Sequence, residues 1–259
     1  MEQKIKLSSI LIAKNEEKNI SQCIESQLNC VDEIIILVDN KTHDNTFEIA
    51  KSFQNLKCEL VDWMGFAKTK QKALSKTSND WVLWIDADEV ITKELSKELI
   101  EFKNSEPKYS AYSIPRIANF LGRWIKHSGW YPGRVTRLFN KNFASFSDNH
   151  VHEELIINGN IGELKSDILH YTDPSIKHYF NKFNSYTSLA AEELRINKKH
   201  FKITDILLRP FFIFIKMYFI KLGFLDGLQG FILAVFSSAY VFTKYCKFWE
   251  LNNNKNNEN

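Results

Sequence analysis

Apolar runs alternate with helix-like segments along the first 90 residues, and this alternation constrains the fold more than any other feature of the chain. The four runs read L-S-S-I-L-I-A (7–13), E-I-I-I-L-V (33–38), K-C-E-L-V-D (57–62) and W-V-L-W-I-D (81–86). The segments between them have the apolar spacing of amphipathic helices. Strands that alternate with helices predict βαβ units and a parallel sheet. Because the runs are continuously apolar, we expect an α/β, Rossmann-like arrangement with helices on both faces of the sheet.

Missing motifs and charge exclude several common classes of α/β protein. No G-x-G-x-x-G follows the first run and no G-x-x-x-x-G-K-[ST] occurs, so neither a nicotinamide dinucleotide site nor a P-loop is expected. The net charge is only +3, and the first two thirds hold no basic run interleaved with aromatics, which argues against nucleic acid as a partner. The N-terminus has no apolar segment of signal-peptide length and the four cysteines form no C-x-x-C pair, so we expect a reduced, cytoplasmic protein.

The second half of the chain changes in character. Residues 109–115 and 134–140 have strand-like patterns, and residues 175–197 have a helical one. Two Phe-rich apolar stretches follow at 206–224 and 230–242, and the latter is shorter than the roughly 20 residues of a membrane span. Both predict helices that are buried, lie in a membrane interface, or enter the membrane as a re-entrant or spanning pair. We favour the interface, because so many Phe would otherwise have to fill a small core.

In an open α/β sheet, ligands bind at the carboxyl ends of the parallel strands. The residues at those ends are Ala13, Lys14, Asn15 and Glu16 after the first run, Asp39 and Asn40 after the second, and Asp86, Asp88 and Glu89 after the fourth. In an extended segment Asp86 and Asp88 could face one point, where Mg²⁺ or Mn²⁺ would take their oxygen atoms. The alternative is that these acids only cap a helix beginning near Ile91. Their position at the end of a parallel strand favours the metal site.

Several of these stretches are similar to those of a known enzyme family. The segments L-I-A-K-N-E-E (11–17), I-I-I-L-V-D-N-K-T-H-D-N-T (34–46) and W-V-L-W-I-D-A-D-E (81–89) resemble family 2 glycosyltransferases of the GT-A fold. Asn40 and His43 depart from the commoner form of the second segment. Residues 119–139, V-H-E-E-L (151–155), L-H-Y-T (169–172) and D-G-L-Q-G-F (226–231) resemble the lipopolysaccharide core β-glucosyltransferase subgroup. The resemblance extends from Leu7 to about Glu250.

The resemblance implies an inverting enzyme that moves a hexose, glucose from UDP-glucose, onto a lipid-linked saccharide such as the lipopolysaccharide inner core. It implies a divalent cofactor, Mg²⁺ or Mn²⁺, on Asp86 and Asp88, with His170 as a further metal ligand. Direct displacement needs a base opposite the leaving group, and the resemblance favours Glu153 for it, with Glu154 in reserve. The residues expected to bind the donor are Ala13, Asn15, Glu16, Asp39, Lys68 and Asp86, together with Arg137, since Arg suits phosphate contacts.

We therefore expect one GT-A catalytic domain followed by C-terminal apolar helices. Residues 1–105 would bind the nucleotide sugar and residues 106–200 would hold the acceptor and the base. Residues 201–250 would lie in the membrane interface, and the polar tail 251–259 would be disordered. This organisation predicts a peripheral protein at the inner face of the cytoplasmic membrane.

Some assignments keep alternatives. Lys70 could serve in place of Lys68, or both could lie on a solvated helix face. His150 and His152 could form a Zn²⁺ pair, although H-E-x-x-H is missing, and Glu89 has no assigned role. Three other functions remain open: an inactive membrane-associated scaffold, transfer to another lipid or protein acceptor, and nucleotidyl transfer, which usually needs a Gly-rich loop after the first strand.

Overall fold

The computed structural model of the 259-residue chain describes residues 5–147 and 155–254. The strands are β1 Leu7–Ala13, β2 Glu33–Asp39, β3 Lys57–Val61, β4 Trp81–Trp84, β5 Glu89–Ile91, β6 Ala111–Ile114, β7 Arg116–Phe120, β8 Arg123–Ile125, β9 Val135–Asn140, β10 Ala144–Phe146, β11 Leu155–Ile157, β12 Ile161–Glu163 and β13 Ile168–Asp173. The helices are α1 Ile20–Gln27, α2 Thr46–Ser52, α3 Phe66–Ser75, α4 Lys93–Lys103, α5 Ile176–Ile196, α6 Ile203–Ile215 and α7 Gly227–Asn254. A π-helical turn, Lys216–Ile220, and a 3-10 turn, Gly223–Asp226, separate α6 from α7.

The chain packs as two compact units. Unit 1 comprises Met1–Arg116 and Gly133–His170, and unit 2 comprises Ile117–Pro132 and Tyr171–Asn259. The roles predicted for residues 1–200 and 201–250 stay predictions, because packing alone assigns no role.

A seven-stranded sheet in the order β12-β6-β9-β4-β1-β2-β3 forms the centre of unit 1. β1 pairs in parallel with β2 and β4, and β2 pairs in parallel with β3. β9 lies antiparallel between β4 and β6. The predicted mostly parallel α/β sheet is therefore confirmed, with one antiparallel strand near its middle.

Burial explains why the first strands are continuously apolar. All seven residues of β1 are buried. Leu11 packs into one core cluster together with Ile24 of α1, whereas its neighbour Ile10 packs into a second cluster with Leu74 of α3. Successive side chains of a strand point to opposite faces, so two cores require apolar residues at consecutive positions.

The hydrogen bonds of Glu33 join the amino-terminal ends of the strands. Its carboxylate accepts from the Ser8 hydroxyl at 2.6 Å, from the backbone N–H of Ser78 at 2.8 Å and from Lys57 Nζ at 2.9 Å. Partial burial alone would raise the pKa of Glu33, but these bonds lower it to about 2. One carboxylate thus connects the starts of β1, β2 and β3 with the loop before β4.

The segment after Asp86 and Asp88 differs from the predicted helix start. The expected helix begins at Lys93 rather than near Ile91, because Thr92 caps it and accepts the Leu95 N–H at 3.1 Å. The three residues before Thr92 form β5, which pairs antiparallel with the first half of β13, placing His170 opposite Glu89. This pairing brings His170, which lies 81 positions after Glu89 in sequence, to the acidic turn.

Unit 2 consists of the β7–β8 hairpin and the C-terminal helices. Phe120 and Ile125 of the hairpin pack with Met217 and with Leu233 of α7, all of them buried. The 3-10 turn is fixed by Asp226, whose carboxylate accepts the backbone N–H groups of Lys126 and His127.

The last helix is longer than predicted. The stretch 230–242 is part of the 28-residue helix α7, and its continuation to Asn254 makes the first four residues of the expected disordered tail helical. Among the described residues, Gly223–Asn253 is the one helical stretch long and apolar enough to cross a membrane by length and composition, and 22% of its most apolar window is buried.

Candidate active site

The loops after β1 and β2 are tied together at the carboxyl edge of the sheet. Asn15 has a positive φ of 56°, and its side-chain oxygen accepts the backbone N–H of His43 at 2.9 Å. The backbone N–H of Glu16 donates to Thr46 Oγ1 at 2.7 Å. The predicted donor residues Asn15 and Glu16 therefore lie in one pre-formed loop, next to the buried Ala13.

Asp39 ends β2 beneath these loops. Its side chain is fully buried and accepts the backbone N–H of Lys41 at 2.9 Å. The hydrogen bond from Lys14, whose Nζ lies 2.6 Å from Asp39 Oδ2, holds the pKa of this carboxyl below its usual range. Asp39 is therefore a fixed carboxylate at the position expected to contact the nucleoside.

The acidic motif forms a turn rather than an extended segment. The backbone N–H of Glu89 donates to the Asp86 carbonyl at 2.9 Å, and this bond closes the turn Asp86–Glu89. Because of the turn, Asp86 and Asp88 do not share partners, contrary to the expectation for an extended segment. Asp86 faces basic residues, whereas Asp88 faces His170.

Asp86 lies among cations and an indole. Trp84 Nε1 donates to it at 3.0 Å, Lys70 Nζ lies 3.7 Å from its Oδ1, and the guanidinium of Arg137 donates to its Oδ2. The Lys70 ammonium and the Arg137 guanidinium are also 3.8 Å and 4.0 Å from the centre of the Trp84 ring. Burial alone would raise the pKa of Asp86, but Arg137 and Lys70 lower it well below its usual range.

The structure distinguishes the two candidate lysines of α3. Lys70 is 4% exposed and reaches the acidic turn, whereas the side chain of Lys68 is exposed. Residues two apart on a helix point in different directions, so only one of the two can face the site. The sequence pattern at the start of the helix did not show which of the two lysines faces the acidic turn.

Glu89 is the residue of this site that the sequence left without a role. Its side chain is fully buried and accepts from Arg137 Nη2 at 2.7 Å, from Arg116 Nη1 at 3.2 Å and from the backbone N–H of Asp86 at 3.0 Å. It therefore positions both the guanidinium that contacts Asp86 and the turn that carries Asp86. Adjacency to the D-x-D was the only sequence signal for it.

Asp88 and His170 form the pair that best fits a metal ion. Their Oδ2 and Nε2 atoms are 3.2 Å apart, and both side chains are partly exposed. Two ligands at right angles on an octahedral Mg²⁺ lie about 3 Å apart, so the pair matches neighbouring coordination positions. Within 5–147 and 155–254, no group of three His, Cys, Asp or Glu residues is arranged to hold a metal.

Some residues of the second half of the chain lie outside the described ranges, and others make contacts of their own. The catalytic candidate Glu153 and its reserve Glu154, like His150 and His152, lie outside the described residues. The guanidinium of Arg134 donates to the Leu164 carbonyl at 3.1 Å and pairs with Glu163. In unit 2, Trp124 packs edge-on against Tyr171 and Trp130 packs against Phe120.

The sheet and the site define the class of protein. A mostly parallel sheet of this order, with an acidic turn after its fourth strand, has the GT-A fold of nucleotide-sugar-dependent glycosyltransferases. The match to Glycosyl transferase family 2 covers residues 8–157, and the chain belongs to that family.

The most informative relatives span nearly the whole chain. An uncharacterized glycosyltransferase of Rickettsia typhi is 33% identical over 95% of this chain and 87% of its own length. The lipopolysaccharide core biosynthesis glycosyltransferase LpsC of Rhizobium meliloti is 27% identical over 95% of this chain and 93% of its own length. In structure, the chain resembles a mannosyltransferase of Pyrobaculum calidifontis that was solved in complex with GDP-Man and Mn²⁺. The TM-score is 0.57 and the sequence identity is 11%, over 96% of this chain and 88% of the mannosyltransferase.

Proposed function

We propose that this glycosyltransferase is an inverting hexosyltransferase that moves glucose from UDP-glucose onto a lipid-linked saccharide such as the lipopolysaccharide inner core. The similarity to LpsC over almost the full length supports the acceptor class, and the sequence resemblance supports glucose and UDP. The observation that carries the proposal is the cluster of Lys70 and Arg137 on an acidic turn at the ligand-binding edge of the sheet. An acceptor in the membrane also requires the enzyme to work at the inner face of the cytoplasmic membrane.

The chain's own residues divide into two groups by the part of the donor they would bind. Asn15, Glu16 and Asp39 would frame the nucleoside, since they form the fixed loops at the ends of β1 and β2. Lys70 and Arg137 would lie beside the diphosphate, where negative charge grows as the sugar leaves. Cations already held in place by Trp84 and Glu89 stabilise that charge without rearrangement.

The divalent ion that the family implies fits Asp88 and His170, with Asp86 beside them. When bound, such an ion supplies positive charge to the departing diphosphate. Glu153 remains our proposal for the base that takes the proton of the acceptor hydroxyl, and this assignment rests on the sequence alone.

The test measures donor binding, donor hydrolysis and sugar transfer with a panel of nucleotide sugars and with Mg²⁺ or Mn²⁺. We expect UDP-glucose to bind most tightly. Asp88→Asn and His170→Gln should each weaken the metal dependence of binding, whereas Glu153→Gln should spare binding and lower transfer strongly.

Lys70→Met and Lys68→Met form a matched pair, because both remove one positive charge from α3. Only the first should weaken donor binding, by on the order of tenfold for one charge-assisted contact. A folded protein that binds none of the nucleotide sugars would refute the proposal. Binding without transfer to any lipid-linked acceptor would favour the inactive scaffold.

A further inference from the structure

Unit 2 carries a row of exposed, large apolar side chains that continues from α6 through the π-helical turn to the start of α7. We call six of its members the apolar face: Leu207, Leu208, Phe211, Phe219, Ile220 and Leu228, each more than half exposed. Soluble monomers rarely leave a contiguous apolar patch of this extent in water. An exposed apolar surface of this kind is typical of an interaction site.

The charge of the same segment identifies the kind of partner. Residues 198–249 hold eight Lys and Arg but only two acids, Asp205 and Asp226. Both acids are buried, the first paired with Arg209 and the second with His127. The segment thus exposes cations around the apolar face and no carboxylate, although the whole chain has a net charge of only +3.

We infer that the apolar face docks onto an anionic lipid bilayer and that α6 and α7 lie in the membrane interface without crossing it. Apolar side chains bordered by Lys and Arg match the acyl boundary and the phosphate layer above it. The inference deepens the proposed function by naming the surface that would bring the enzyme to a lipid-linked acceptor.

The second half of α7 is held to α5 by polar contacts, and this argues against a membrane span. Lys247 Nζ donates to the carbonyl and the side chain of Asn184, to Thr187 Oγ1 and to Ser188 Oγ, all within 2.9 Å. Phe248, 1% exposed, packs in the same region. Crossing the bilayer would draw these polar groups of α5 into lipid, where each would lose its contact with water.

The remaining part of α7 is too short to cross a bilayer. The Tyr240 hydroxyl is the first of the α7 groups bonded to α5, through the Tyr186 carbonyl at 3.2 Å. Residues 227–239 span about 20 Å as a helix, less than the roughly 30 Å of a hydrocarbon core. Moreover, Leu233 and Ala234 are fully buried against the protein, so α7 has only one side for lipid.

A side-chain hydrogen bond joins α6 to α7. The Ser238 hydroxyl of α7 donates at 2.8 Å to the carbonyl of Pro210 in α6, a helix-interior residue with no backbone N–H of its own. Phe211 and Leu207 remain on the outer side of the pair, 67% and 64% exposed. The two helices are thus bonded to each other, and both contribute exposed apolar side chains to the apolar face.

The test uses the full chain and sedimentation with vesicles, so it needs no sugar transfer and is independent of the proposed reaction. We expect binding to vesicles of phosphatidylcholine mixed with phosphatidylglycerol, weaker binding to phosphatidylcholine alone, and release by an alkaline carbonate wash. Phe211→Ser with Phe219→Ser should lower the partition coefficient at least about tenfold. The matched control, Leu60→Ser with Ile161→Ser, changes two exposed apolar residues of unit 1 and should leave it unchanged.

Charge variants measure the electrostatic contribution to vesicle binding separately from the apolar contribution. Lys216→Glu with Lys221→Glu should lower binding to the anionic vesicles by roughly tenfold or more and leave binding to neutral vesicles unchanged. Lys93→Glu with Lys97→Glu makes the same change in unit 1 and should have no effect. Circular dichroism checks that every variant is folded.

Three outcomes would overturn the inference. Resistance to the carbonate wash would show a spanning helix, and equal binding to both kinds of vesicle would remove the anionic preference. A dimer in analytical ultracentrifugation that the Phe211→Ser, Phe219→Ser variant converts to monomer, without vesicle binding by either protein, would assign the apolar face to a second copy of the chain.

Discussion

Replacing Glu89 by Gln tests whether one buried carboxylate organises the candidate active site. The side chain keeps its size, but a Gln has one accepting oxygen and one donating NH₂ group. Both Glu89 oxygens accept in the structure, one from Arg137 and Arg116 and the other from the backbone N–H of Asp86. Whichever way the amide turns, a buried donor faces another donor.

The expected cost follows from what stays paired. A buried donor left without an acceptor costs about 1–3 kcal/mol, and breaking a buried ion pair costs about 3–5 kcal/mol. Arg137 keeps Asp86 as a partner, so the second cost is only partly incurred. We therefore expect Glu89→Gln to lower the free energy of unfolding by about 3 kcal/mol.

Urea unfolding followed by tryptophan fluorescence measures this cost, because Trp81 and Trp84 lie in the neighbouring strand β4. Asp88→Asn is the control: it makes the same chemical change one residue earlier, at a partly exposed side chain, and should cost less than about 1 kcal/mol. A double-mutant cycle with Arg137→Gln should give a coupling energy of about 1–3 kcal/mol.

The reasoning has two points at which it can fail. A cost below about 1 kcal/mol for Glu89→Gln would mean that the buried bonds are not maintained in solution. Additive effects of Glu89→Gln and Arg137→Gln would show that the two side chains act independently and that Glu89 does not position the guanidinium.

Two further predictions concern stability away from the site. The pKa of Glu33 is about 2 in the folded protein, against an ordinary value of 4.5, so its contribution to the free energy of unfolding is present above about pH 5 and is lost as the pH falls toward 2. Over this range, urea titrations should show that wild type loses about 1–2 kcal/mol more stability than Glu33→Gln. Equal losses would contradict the assignment. Gly230→Ala would place a Cβ 2.0 Å from the Gly223 carbonyl oxygen. Calorimetry should therefore show a melting temperature of unit 2 that is several degrees lower. A melting temperature at or above that of wild type would show that the backbone shifts to relieve this clash at no cost.

Strands β1, β2 and β4 could be predicted because nearly all of their residues are buried. The edge strand β3 is mostly exposed, so only part of it carries this signal. Asp39 and the Asp86–Asp88 pair could be predicted for the same reason, since they stand where the apolar runs stop. The role of Glu89 could not be predicted, because its partners Arg116 and Arg137 are 27 and 48 residues away in sequence and no local pattern indicates them.

The C-terminal helix shows a different limit of sequence reasoning. Polar residues follow Phe242 and end the apolar run, so the run covers only part of helix α7. In the structure these residues continue the helix, because Lys247 finds its acceptors on α5 and does not need water.

The central position of the antiparallel strand β9 has a consequence for how the protein is made. A ribosome completes β1 to β4 more than 50 residues before β9 emerges, and until then the edge of β4, with Trp81, Val82 and Leu83, has no strand beside it. An unpaired apolar edge of this kind is a template for association between nascent chains. During that interval Asp86 also lacks Arg137, so the acidic turn cannot acquire its full set of counter-charges before the second half of the sheet has been synthesised.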